Sequence, residues 1–270
     1  MIMWRKSPDE YNFPSQEQVQ YFQERGAIYL TGVASADQIS FSRPAINEAV
    51  SKHNSEKRKL EERDTYGKAF LQIMNLWERD EIVRQFTLYN KFARIAAELL
   101  GVERVRIYHD QALYKESGGG TTPWHQDQYY WPLDTKNTIT MWMPLIDLDA
   151  SMGILTFAER SHKDGLVKNI PISDESEHLL DAYVNEKGYN IFMPDSMKAG
   201  DATFHYGYTL HKAPSNFSDK MREVMTVIYY ADGAFVTVPE NEAQETDRRR
   251  WLAGVLPGEP AASRLNPVVE

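Results

Sequence analysis

The sequence predicts an α+β chain, mainly β, built as a jelly roll or cupin-like barrel buttressed by N-terminal helices. Three observations carry that expectation. Helix-start and helix-stop signals crowd the segment before Arg104, short runs rich in β-branched and aromatic residues follow it, and Gly, Pro and Asp separate those runs. Many short strands after a helical layer pack as a closed or sandwiched sheet, because each strand has a face to bury.

The first helix is expected over Ser15 to Arg25: it follows Pro14, opens on a Ser-x-x-Gln box, sets Val19 and Phe22 on one stripe and stops at Gly26. Ala27 to Leu30 reads as a first strand. Ser35 with Gln38 opens a second helix running toward His53, and Asp80 to Leu100 supplies one or two more, ended by Gly101. Val105–Tyr114, Thr138–Leu145, Ile154–Ala158, Ala202–Tyr206 and Val224–Tyr230 are the expected strands, and Ser117 to Thr122 is a flexible Gly-rich loop. No repeat or low-complexity tract interrupts the chain. One domain is expected, helical over about 1–103, barrel over about 104–232, with an extension over 233–270.

Composition narrows the function. Of 270 residues, 42% are hydrophobic and 12% aromatic, enough for a substantial core. A net charge of −9 argues against a phosphate-backbone binder, so nucleic acid is not an expected partner. No run reaches the roughly 18 apolar residues of a membrane helix, and the first residues carry no signal-peptide hydrophobic block. A soluble, cytoplasmic protein acting on a small molecule is expected, its oligomeric state open. Cysteine is absent, which excludes disulfides, thiolate zinc sites and iron–sulfur clusters. Any metal has to sit on His and carboxylate ligands.

Such ligands stand in Pro123-Trp124-His125-Gln126-Asp127, answered downstream by His211 and then Arg222. Residues two apart in an extended segment point to the same side, so His125 and Asp127 can share a metal that a distant His completes, with further coordination positions left open. That suits a non-haem Fe(II) oxygenase, which holds a chelating cosubstrate and dioxygen at vacant positions. Each residue alone has a plainer reading: a solvated His-x-Asp, a satisfied core histidine, a surface arginine before a strand. The adjoining Tyr129, Tyr130 and Trp131 favour a pocket wall. Arg222 leads into the apolar run Val224 to Tyr230, where a guanidinium needs an anionic partner, and a carboxylate fits its planar fork.

The order His125-Gln-Asp127, Trp142 in a strand, Gly153, Ser161-His162, Gly200-Asp201, His211, Asn216 and Arg222 resembles the phytanoyl-CoA dioxygenase family of Fe(II)- and 2-oxoglutarate-dependent oxygenases, over roughly residues 15–232. The resemblance implies a double-stranded β-helix on which His125, Asp127 and His211 ligate the catalytic iron, Arg222 takes the far carboxylate of 2-oxoglutarate and Trp142 lines that cosubstrate's pocket. It also implies dioxygen as oxidant, oxidation of an unactivated C–H bond, and release of succinate and CO2. Related halogenases have a small residue in place of Asp127, so its presence favours hydroxylation; desaturation, ring closure and epoxidation stay open. Three positions depart from the family pattern: Met152 before Gly153, Glu159-Arg160 before Ser161-His162, and Ala213 in place of a small hydroxyl residue. The first two fall in a loop that could reshape the site entrance.

Strand parity adds to the motif. Thr138, Thr140 and Trp142 share one side of a strand, and His109, Gln111, Leu113 and Lys115 one side of another. Gln111, with Thr138 or Thr140, is expected to donate to oxoglutarate oxygens and compensate for Ala213. His109 is expected to bond to a neighbouring strand, and His53, His162, His178 and His205 to be structural or solvent-facing. Tyr129, Tyr130, Trp131 and Trp4 suggest an apolar or cyclic substrate, such as an alkaloid or terpenoid intermediate of secondary metabolism. Lys52, Lys57, Arg58 and Lys59 form a patch that would suit an acyl-CoA but reads more simply as a solvated helix face. Asp247 to Trp251 is expected to form a helix over the site or a partner surface. The alternatives are a ligand-binding barrel without turnover and a non-oxidative cupin-like metalloenzyme such as an isomerase.

Overall fold

Each helix-start signal opens a helix in the computed structural model, which describes residues 14–168 and 170–269. Trp4 lies outside the described residues. Ser15 caps α1 (Gln16–Arg25) and Ser35 caps α2 (Ala36–His53), both through reciprocal boxes with the Gln three residues on. The Asp80 to Leu100 span divides into α4 (Glu81–Thr87) and α5 (Asn90–Leu100), because Tyr89 adopts an extended backbone between them. Ahead of these lie β1 (Ala27–Leu30), a short α3 (Thr65–Ala69) and β2 (Leu71–Met74).

The barrel strands are β3 (Val105–Tyr114), β4 (Thr122–His125), β5 (Thr138–Pro144), β6 (Leu148–Asp149), β7 (Thr156–Ala158), β8 (Ile191–Phe192), β9 (Ser196–Met197), β10 (Ala202–Tyr206), β11 (His211–Ala213) and β12 (Val224–Ala231). They form an antiparallel six-stranded sheet ordered β1-β10-β5-β12-β3-β2, a four-stranded sheet ordered β4-β11-β7-β8, and the pair β6-β9. Both edges of the large sheet thus come from the part of the chain expected to be helical. Two further helices, α6 (Asp174–Lys187) and α7 (Glu242–Trp251), follow in the second half.

Alternation sorts the large sheet into two faces. Ile139, Met141, Met143, Phe204, Met225 and Val227 pack with Phe22, Ile46, Phe86, Phe92 and Leu99 of the helices in one continuous core. On the opposite face, cross-strand pairing sets His205, Thr140, Ile228 and His109 abreast on successive strands, and Thr203, Trp142, Thr226 and Gln111 abreast one step along. The small sheet is braced from outside by α6. Its Glu177 accepts the Trp124 backbone N–H at 2.9 Å and its Asp181 accepts the indole N–H at 3.1 Å. No helix among the described residues is long and apolar enough to cross a membrane.

Candidate active site

His125 ends β4 and His211 begins β11, and the two are direct cross-strand partners with ring centroids 4.0 Å apart. Asp127 is not on the strand with His125 as expected. The chain stays extended through Gln126 and then turns, so Asp127 starts a 3₁₀ turn (Asp127–Tyr130) that folds its carboxylate back between the imidazoles. Oδ1 lies 3.7 Å from Nε2 of each histidine, and one ligand atom from each of the three residues falls within 4.8 Å of the others.

The tautomers favour a cation. Nδ1 of His125 lies 2.7 Å from the Pro123 carbonyl and Nδ1 of His211 lies 2.9 Å from the Thr209 carbonyl; carbonyls only accept, so each Nδ1 carries the proton and each Nε2 keeps its lone pair for the centre. Burial lowers both imidazoles to about 4, keeping them neutral. Burial alone would raise the Asp127 carboxyl, but the imidazoles of His211, His205 and His125 hold it well below the usual carboxylate range. Two neutral nitrogens and one carboxylate oxygen fit a divalent ion such as Fe(II).

The other oxygen of Asp127 is already engaged. Thr140 donates to Oδ2 at 2.8 Å, and Nε2 of His205 lies 3.3 Å from the same atom. His205, expected to be structural or solvent-facing, is 1% exposed, has its ring centre 4.3 Å from that of His211 at a tilt of 50°, and lines the cavity. The alternation Ala202-Thr203-Phe204-His205 was the signal that it faces inward with Thr203.

Arg222 sits at the end of the same cavity, 1% exposed. One terminal N–H donates to the Gly153 carbonyl at 2.6 Å, the guanidinium lies 5.3 Å from the Trp142 ring centre, and Nε is buried with no partner. Burial pulls its pKa down to about 9, which leaves it cationic at neutral pH. A buried cation with an unfilled donor calls for an anionic partner, and a carboxylate matches its planar fork. Gly153 holds φ +77, and a Cβ there would lie 2.4 Å from the Pro214 carbonyl oxygen.

These groups open on one cavity of roughly 260 Å³ lined by both sheets. Trp142, Gln111, Thr140, Tyr130 and Trp131 all reach it. Thr138 does not: it is fully buried and donates to Gln128 at 2.7 Å. Thr140, expected to donate to oxoglutarate, is committed to Asp127, and the Gln111 carbonyl oxygen accepts from Gln72 at 2.5 Å, which leaves its amide N–H groups as donors. Tyr129 also misses the cavity; it is buried edge-on against Tyr130, and its carbonyl accepts from Gln244 of α7 at 3.2 Å. The Glu159-Arg160 departure lies away from the entrance, since Glu159 is buried in an ion pair with Arg25 at 2.8 Å. No local pattern marks Tyr66 and Phe70, which line the cavity from α3 and just after it. The Asp247 to Trp251 helix does cover the site, lining it through Thr246, Asp247, Arg250 and Trp251.

The phytanoyl-CoA dioxygenase (PhyH) family profile matches residues 22–224. A phytanoyl-CoA dioxygenase from Arabidopsis thaliana is 28% identical over 160 residues, 58% of this chain and 56% of that protein. The chain spans 50 to 62% of the length of the first three curated relatives it matches. Among solved structures, the non-haem alpha-ketoglutarate-dependent carbocyclase SnoK of nogalamycin biosynthesis superposes with a TM-score of 0.79 at 24% identity, covering 96% of this chain and 98% of SnoK. The epimerase SnoN, solved with Fe3+, alpha-ketoglutarate and nogalamycin RO, gives 0.77 at 19% identity, covering 94% and 98%. At these identities the two structures establish the fold, the double-stranded β-helix of 2-oxoglutarate oxygenases.

Proposed function

The chain belongs to the phytanoyl-CoA dioxygenase family of Fe(II)- and 2-oxoglutarate-dependent oxygenases, and we propose that it hydroxylates an unactivated C–H bond of a small, apolar or cyclic organic substrate, with release of succinate and CO2. The observation that carries this reading is the joining, in one cavity, of a triad with its lone pairs turned inward and a buried arginine with an unfilled donor. His125, Asp127 and His211 would hold the iron, and Arg222 the distal carboxylate of 2-oxoglutarate. Together with dioxygen, these cofactors supply the oxidative decarboxylation that drives C–H oxidation. The protein's own share is placement. Thr140 and His205 restrain Asp127 to one free oxygen, and Trp142 and Leu155 wall the oxoglutarate end against water.

The presence of Asp127 favours hydroxylation over halogenation, and the lining Tyr130, Trp131 and Trp251 favours a ringed or apolar substrate. An acyl-CoA is less well supported, because Arg58 of the basic patch is turned to Glu56 at 2.7 Å and the patch lines no part of the cavity.

The test is anaerobic addition of Fe(II) and 2-oxoglutarate to the metal-free protein. A weak visible charge-transfer band is expected, followed in air by slow succinate release even without substrate. A folded, iron-loaded sample that gives neither signal would return the case to a non-oxidative metalloenzyme or a silent barrel.

A further inference from the structure

Away from the triad, the cavity ends in a wall that the oxidation chemistry itself does not use. Among the described residues, Asp247 is the one carboxylate besides Asp127 that lines it. Its Oδ2 accepts from the Tyr108 hydroxyl at 3.2 Å; Arg248 and Arg249 bind Glu245 at 2.7 and 2.6 Å, and Arg250, exposed to solvent, lines the same cavity. Burial raises the Asp247 carboxyl to about 7, outweighing the opposing pull of the Tyr108 hydroxyl, the Arg250 charge and the Trp251 indole. On the same cavity His109 is 3% exposed, its Nδ1 has no hydrogen-bond partner, and its ring lies 5.5 Å from that of Trp251. The expected bond from His109 to a neighbouring strand is therefore not made by Nδ1.

We propose that this wall is a recognition subsite for a hydroxyl or amine carried by a cyclic substrate, with Asp247 as acceptor and His109 as second polar contact. The inference rests on the oxygenase reading and adds the chemical class of the substrate's far end. An ionised carboxylate only accepts, so it calls for an O–H or N–H and repels a second anion. Trp131, Trp251 and Tyr130 supply flat apolar faces for a ring, and a cationic amine gains further from them. The buried Nδ1 of His109, unpaired in the free protein, sharpens the discrimination, because a ligand that does not reach it leaves it unpaired in the complex too.

The experiment uses the holoenzyme under anaerobic conditions at pH 8, loaded with Fe(II) and 2-oxoglutarate. Four probes share an adamantane skeleton and carry an amine, an alcohol, a methyl or a carboxylate. Binding is read by calorimetry and by perturbation of the charge-transfer band. Amine and alcohol are expected to bind about tenfold or more tighter than methyl, with carboxylate weakest. Preference for amine over alcohol assigns an ammonium ligand; equal binding assigns a hydroxyl. In Asp247→Asn the amine-to-methyl ratio should fall toward one, and His109→Phe, which keeps a ring in place, should lower it if the first variant does not fold. Methyl or carboxylate probes binding as well as the donors, or no probe binding at all, would overturn the subsite. A normal band with oxoglutarate alone would leave the oxygenase reading standing in that event, whereas loss of the band would sink the reading itself.

Discussion

His205 of β10 meets Asp127 of the 3₁₀ turn: Nε2 of the histidine lies 3.3 Å from Oδ2 of the carboxylate, on the oxygen that Thr140 also holds at 2.8 Å. Two donors on one oxygen leave Oδ1 as the atom free to face a metal, which keeps Asp127 a one-oxygen ligand. His205→Phe is expected to weaken Fe(II) or Co(II) binding about tenfold, with a broadened Co(II) spectrum. His205→Gln, which restores a donor, should recover much of it. Metal titrations of the two variants that coincide with wild type would remove His205 from this role.

Arg222→Lys keeps the charge and loses the fork. Oxoglutarate affinity is expected to fall roughly tenfold to a hundredfold, while metal affinity holds. Calorimetry with each ligand in turn checks this. Equal loss of both would show that the arginine supports the barrel rather than the cosubstrate.

Gly153→Ala should damage both stability and the arginine clamp. The left-handed backbone costs an L-residue roughly 1–2 kcal/mol, and the new Cβ would sit 2.4 Å from a carbonyl oxygen that has little room to move. Because the Gly153 carbonyl is the acceptor for Arg222, oxoglutarate binding should weaken together with Tm. A variant with unchanged Tm would contradict the close approach.

Acid should destabilise the metal-free protein through its buried imidazoles. Burial lowers His109 to about 3 and His125 and His211 to about 4, so each binds fewer protons folded than unfolded. Their contribution is complete above the unfolded value near 6.5 and is lost as pH falls from there toward 4. Asp110 and Asp247, raised by burial to about 6 and about 7, act in the opposite sense over that range. The clean readout is therefore a difference: between pH 7 and pH 5, His109→Phe should lose about 2 kcal/mol less stability than wild type. Parallel denaturation profiles would show that His109 is not buried neutral.

Capping boxes and two-residue parity were legible because they depend on neighbours in the chain. Ser15, Ser35 and Asp80 open their helices, and of His109, Gln111, Leu113 and Lys115, which parity sets on one side of β3, the first three line the cavity while Lys115 does not. What long-range packing decides was not legible. β2 is four residues long and pairs only because β3 offers an open edge, and α3 carries Tyr66 to the cavity by a path no local pattern marks. Thr138 shares the parity of Thr140, yet Gln128 from the 3₁₀ turn closes over it, so parity fixed its direction without its access. Tyr129 fails for a related reason: in a 3₁₀ turn, consecutive aromatics fan out, and only Tyr130 and Trp131 face inward.

The row His205, Thr140, Ile228, His109 crosses three interstrand gaps of the large sheet, about 14 Å at the usual strand spacing. One end of this beam steadies the metal ligand and the other stands at the recognition wall. Hydrogen-bonded strands stretch very little, so the beam acts as a fixed ruler. A molecule gripped at the wall offers to the oxidant whichever carbon lies at the matching distance, and lengthening it by a few bonds would move oxidation to a different atom rather than abolish it.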